Sequence, residues 1–129
     1  MIVDSSALIA ILRREADALV YSESIERARR KLMAAPTFLE TAMVVIGRKG
    51  EAASAGIERF LLRSGIDIVP FTPAAARVAV DAFVKYGKGR HPAGLNFGDC
   101  ISYALARTEV MPLLFKGGDF GLTDIEAAL

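Results

Sequence analysis

Four acids in this chain occupy positions from which a carboxylate could do chemistry: Asp4, Glu40, Asp99 and Asp119. Asp4 closes the apolar run Met1-Ile2-Val3. Beyond it Ser5 and Ser6 lead into a helical stripe of Ala7, Leu8, Ile11 and Leu12. Glu40 falls one turn into the helix that follows a second apolar run. Asp99 falls in the first turn of a helix opened by Asn96-Phe97-Gly98, and Asp119 follows Lys116-Gly117-Gly118, just past another apolar run. In an open parallel α/β sheet such points share the rim at the carboxyl ends of the strands, where ligands bind. Packed carboxylates repel one another and do not all ionise without a counter-charge. A hard divalent cation supplies it, and oxygen-only ligation completed by water suits Mg²⁺ or Mn²⁺. Such an ion acidifies a bound water and stabilises charge on a phosphoryl group. The pattern points to a metal-dependent enzyme acting on a phosphate ester.

Each acid also has a local alternative. Asp4, Ser5 or Ser6 could cap the helix they precede. Thr37-x-x-Glu40 matches a capping box, in which the glutamate reaches back to the helix start. Asp99 sits where a helix dipole favours negative charge. Four such coincidences on one rim are harder to accept than one site.

The elements that must position these acids alternate strand and helix, which gives an α/β class: one domain over residues 1–129, with a central, mainly parallel sheet of four to five strands flanked by helices. Strands are expected at 1–4, 31–35, 66–71 and 111–115, with a short edge strand at 123–125. Helices are expected from about residue 6, over 16–29, from Thr37, over 51–63, over 73–86, from Asn96, and as a stub at the tail. Gly65 suits a helix end that needs a left-handed backbone, and Thr72-Pro73 a cap followed by proline in the first turn. Asp67, in mid-strand, reads as an outward polar residue. Residues 87–95 break every periodicity and read as a basic surface loop carrying Lys88, Arg90 and the single histidine, His91. The third helix is apolar almost all round from Phe38 to Ile46, so it belongs in a core or an interface. A homodimer built partly from the third and fourth helices follows.

The balance of 16 basic and 15 acidic residues gives a net charge of +1, so attraction to nucleic acid must rest on local clusters. Arg90 and Lys116 are the candidates for holding phosphates that flank the site. A single cysteine, Cys100, rules out an internal disulfide and fits a cytoplasmic protein; with no base beside it in sequence, it reads as a small buried residue. No apolar run is long enough to span a bilayer, so no membrane association is expected.

The motifs resemble those of a known family. Ile2-Val3-Asp4-Ser5-Ser6-Ala7, Glu40, Leu95-Asn96-Phe97-Gly98-Asp99-Cys100 with Tyr103-Ala104-Leu105-Ala106, and Leu113-Leu114-Phe115-Lys116-Gly117 with Asp119-Phe120 and Thr123-Asp124 resemble a PIN-domain ribonuclease of the VapC toxin type. The resemblance covers the whole chain, in order. It implies a parallel sheet flanked by helices, an Mg²⁺-dependent endoribonuclease, a dimer, and a VapB-type antitoxin that plugs the site. Asp4 and Asp99 match the principal metal ligands, Glu40 the helix-borne acid, and Asp119 the fourth acid. Ser6 matches a hydroxyl that supports the first ligand, and Asn96 a polar residue beside the site. The implied reaction is in-line attack on an RNA phosphodiester by metal-activated water. One departure stands at Gly118, where related sequences commonly carry Asn or Asp.

Two other phosphate-handling folds fit less well. A receiver domain needs an aspartate ending its third strand, and here Val69-Pro70 stands there. A haloacid-dehalogenase-type phosphatase needs a second aspartate two residues after the first, and here Ser6 stands there. The remaining alternative is a catalytically weakened PIN domain acting as a binding or regulatory module, for which Gly118 is the motive. RNA cleavage in Mg²⁺ and in EDTA separates the two.

Overall fold

A computed structural model describes residues Met1–Leu129. Strand β1 (Ile2–Val3) runs directly into helix α1 (Ser5–Leu12), with Asp4 as the residue between them. Helix α2 (Ala18–Arg27) returns the chain to β2 (Lys31–Ala34), and α3 (Ala35–Lys49) with α4 (Ala53–Ser64) leads to β3 (Ile66–Val69). Helices α5 (Pro73–Tyr86) and α6 (Phe97–Glu109) then carry the chain across to β4 (Leu113–Leu114). The sheet order is β3-β2-β1-β4, and every pairing is parallel.

Consecutive side chains on a strand face opposite ways, and both faces are filled. Ile2, Leu32 and Leu113 pack with Ala82, Tyr86, Ile101 and Leu105 of α5 and α6. Val3, Met33 and Leu114 pack with Leu8, Ile25, Val45, Ile57 and Leu61 of α1 to α4. The chain winds outward from β1 over one face, then crosses the other to reach β4. The connections leaving β1 and β4 therefore diverge, and the crevice where ligands bind opens between these two strand ends. Asp4 and the segment that carries Asp119 both stand at that crevice.

Several boundaries differ from expectation, each for a physical reason. The third helix opens at Ala35, straight from β2, with Pro36 in its first turn, where a missing N–H is harmless. Thr37 is therefore inside the helix and is not its cap. Only Thr37, Thr41 and Val45 of this helix are buried, while Leu39 and Met43 are exposed. The tail forms no helix beyond a 3₁₀ turn, Phe120–Leu122. The expected edge strand at 123–125 is replaced by a single parallel bridge between Leu113 and Ala127, in which Leu113 N donates to Glu126 O and Ala128 N to Leu113 O. The loop 87–95 is anchored: Leu95 N donates to Tyr86 O, Lys88 N donates to Leu95 O, and Ala93 and Leu95 are buried. Gly65 does end α4 with a left-handed backbone, and Thr72 caps α5 by accepting from Ala75 N.

Candidate active site

The site begins with Asp4, which is 3% exposed. A buried carboxylate needs donors, and Asp4 has three. Ser6 gives two of them to Oδ2, from its N–H at 3.0 Å and from Oγ at 2.6 Å. Ser102 Oγ donates to Oδ1 at 2.5 Å from α6. Asp4 thus does cap α1, yet that role engages only one of its oxygens. Lys116 N donates to Ser6 Oγ at 3.0 Å, which ties the chain leaving β4 to the same cluster.

Asp99 lies at the third position of α6. It forms a reciprocal capping box with Asn96: Asp99 N donates to Asn96 Oδ1 at 2.9 Å, and Asn96 N donates to Asp99 Oδ2 at 3.0 Å. Capping alone would favour the charged carboxylate. Instead burial pushes the Asp99 carboxyl up to about 6; the bond from Asn96 pulls it down, and the charges of Asp4, Asp119 and Glu40 push it further up. The proton affinity of Asp99 therefore responds to all three of the other acids.

Glu40 reaches this rim from α3. With Thr37 inside the helix and Ala34 at its cap position, the capping-box alternative for Glu40 is gone. Its carboxylate lies against the first turn of α6, where a Cβ on Gly98 would overlap Glu40 Oε2. Asp119 is exposed on the turn after β4, which Gly117 makes with φ +107°. Gly118 faces open space. As they stand, no three carboxylates form a ready-made cage for an ion. The donor set nevertheless suits one: oxygen ligands only, one of them buried and oriented, and mutual repulsion that a cation would relieve.

The two basic candidates are placed differently. Lys116 Nζ pairs with Glu15 at 2.6 Å and Asp17 at 2.8 Å on the turn between α1 and α2. Arg90 Nε donates to Val84 O at 3.1 Å, so its side chain folds back on α5. His91 Nδ1 accepts from Ala93 N at 3.0 Å and its ring meets Tyr86 edge-on, a structural role. Cys100 is buried, and burial raises its thiol, with the charge of Asp99 adding to the effect.

Sequence reasoning missed two residues of this site. Ser102 is a buried hydroxyl inside a helix, and only the fold brings it to Asp4. Gly98 makes room for Glu40, and its position directly before Asp99 was the available signal.

The structure is thus a parallel α/β sheet with an acid-lined rim, on which Asp4 ends β1, Glu40 and Asp99 come from α3 and α6, and Asp119 follows β4. The model of the PIN domain matches residues 1–126. Ribonuclease VapC30 of Mycobacterium tuberculosis is 45% identical over 125 residues, covering 97% of this chain and 95% of that protein. Ribonuclease VapC of Mycolicibacterium smegmatis is 43% identical over 127 residues, covering 98% of each. The crystal structure of Mycobacterium tuberculosis VapC20, a Sarcin-Ricin loop cleaving toxin, superposes with a TM-score of 0.76 at 16% identity, covering 96% of this chain and 95% of that one, a likeness of fold. The chain belongs to the PIN domain family and groups there with the VapC ribonucleases.

Proposed function

We propose that this protein is a metal-dependent endoribonuclease, the toxin of a toxin–antitoxin pair. The observation that carries the reading is geometric: the fold brings Asp4, Glu40, Asp99 and Asp119 from four separate segments close enough that, after burial, their charges help push the Asp99 carboxyl up to about 6 although it sits in a capping box. A rim so crowded with negative charge is poised for a cation. The likeness to named VapC ribonucleases supports RNA as the substrate.

Asp4 and Asp99 would hold Mg²⁺, or Mn²⁺ in its place, with Glu40 and Asp119 completing the rim. When bound, the ion supplies positive charge against the reacting phosphate and acidifies water. The protein's own share is orientation and proton transfer. The serines fix the Asp4 carboxylate; Asn96 fixes Asp99; Gly98 lets Glu40 lie beside them. One acid of the rim takes the proton of the attacking water, so no covalent intermediate with the protein is needed. Asp119, on its turn after β4, is the one exposed acid of the four.

The partners in this reading are an RNA, a VapB-type antitoxin and a second copy of the chain, in the cytoplasm. No helix is long and apolar enough to cross a membrane. Exposed apolar side chains available to a second copy are Leu39 and Met43 of α3, Leu62 of α4, and, separately, Val80, Phe83 and Val84 of α5 with Phe97.

Purified protein should cut RNA in Mg²⁺ and stop in EDTA. Expression alone should slow growth, and a cognate antitoxin should relieve it. A folded protein that cuts equally well in EDTA contradicts the metal-dependent reading, and one that cuts under neither condition contradicts the nuclease.

A further inference from the structure

Helix hydroxyls usually donate to a carbonyl of their own helix, three or four residues back. Ser22 donates to Ala18 O at 3.0 Å and Thr41 to Thr37 O at 2.9 Å in that way. Ser102 does not. It is 1% exposed, and its Oγ crosses from α6 to Asp4 Oδ1 at 2.5 Å. The oxygen it chooses matters. An ionised carboxylate offers about two lone-pair sites on each oxygen. Asp4 Oδ2 takes two donors from Ser6, which fills it. Oδ1 takes only Ser102, which leaves it the oxygen with a site free for a cation.

Ser102 also stands three residues after Asp99, on the same face of α6. One rigid helix therefore carries one carboxylate of the rim and the hydroxyl that aims the other. We infer that Ser102 is a positioning residue, which fixes the free lone pair of Asp4 relative to Asp99 and so sets the affinity of the site for a divalent cation. This rests on the metal-site reading given above. It adds that a bound cation would meet Asp4 at Oδ1, and that the brace comes from α6 and not only from Ser6.

The test is a Mn²⁺ titration of the full chain and of Ser102→Ala, together with thermal melts of both in EDTA. Loss of an outer partner of a ligand weakens metal binding roughly 10–100-fold, and that weakening is the expected result. A Ser102→Ala protein that melts lower in EDTA yet binds Mn²⁺ as tightly as the parent overturns the inference, because the hydroxyl would then be structural only. If the parent itself binds no Mn²⁺, the metal-site reading falls first and takes this inference with it, an outcome distinct from the former. Should Ser102→Ala fail to fold, Ser102→Cys, slightly larger and only a weak donor, takes its place. It must bind Mn²⁺ more weakly than the parent, and parent-like binding overturns the inference.

Discussion

Gly98 of α6 and Glu40 of α3 fit together only because Gly98 has no side chain: a Cβ there would overlap the Glu40 carboxylate. Two helices far apart in sequence thereby place a second acid beside Asp99.

The first prediction follows from that fit. Gly98→Ala should leave the fold intact, since Glu40 is flexible and alanine favours helix over glycine by up to about 1 kcal/mol. RNA cleavage should nevertheless fall about tenfold or more, because the Glu40 carboxylate must move off the rim. Parallel melts and cleavage assays check this; unimpaired cleavage by a folded Gly98→Ala protein would show that Glu40 need not sit there.

A second prediction concerns pH. The Asp99 carboxyl is raised in the folded state to about 6, from an ordinary 3.8. Between those values the folded state binds more protons than the unfolded state, so stability falls as pH rises. This contribution is fully present below about pH 3.8 and is lost as pH passes about 6. Metal-free melts from pH 4 to 7 should show the parent losing stability relative to Asp99→Asn over that window. A pH-independent difference between the two would mean that burial and the neighbouring acids do not raise the Asp99 carboxyl.

How far the sequence could be read depends on range. Asp4 and Asp99 were legible because each is framed by local signals, the Ile2-Val3 run before one and Asn96-Phe97-Gly98 before the other. Glu40 was ambiguous for a local reason: Pro36 looked like the end of a strand, whereas it is the first turn of α3. Reading it so would have removed the Thr37 capping box. Ser102 was invisible, because its partner lies 98 residues away. The same holds for Lys116, whose two acidic partners lie about a hundred residues earlier. The tail misled because its pairing is one bridge at Ala127, too short to leave a pattern.

RNA contacts give a third prediction. Lys116 has its charge offset by Glu15 and Asp17, while the guanidinium of Arg90 spends only its Nε on Val84. Arg90→Ala should weaken RNA binding and reduce the slope of log affinity against log salt by about 1, as for one lost phosphate contact. Lys116→Ala should change that slope less. Filter binding at several salt concentrations decides between them, and a larger effect at Lys116 would show that its pairs break to meet RNA.

Self-association is the fourth. Val45 is 8% exposed and packs in the core between the sheet and α1 to α4, so Val45→Glu should unfold the protein instead of merely splitting a dimer. Met43 is 65% exposed and Phe83 44% exposed. Met43→Glu or Phe83→Glu should leave a folded chain and shift light scattering from dimer to monomer. A parent that is already monomeric would remove the dimer from the account.

The most direct test of the four-acid site is the rise in melting temperature that Mg²⁺ gives the parent and Asp99→Asn. A ligand that binds only the folded state stabilises it by about 2.7 kcal/mol at a hundred times its dissociation constant. In EDTA, Asp99→Asn should be no less stable than the parent: its amide oxygen can still accept a capping bond, and the repulsion from Asp4, Glu40 and Asp119 is relieved. Excess Mg²⁺ should then raise the parent well above the variant, because a neutral amide is a poor ligand for a hard cation. Equal gains from Mg²⁺ in the two proteins, with the variant still cutting RNA, would contradict the assignment of Asp99 to a metal site.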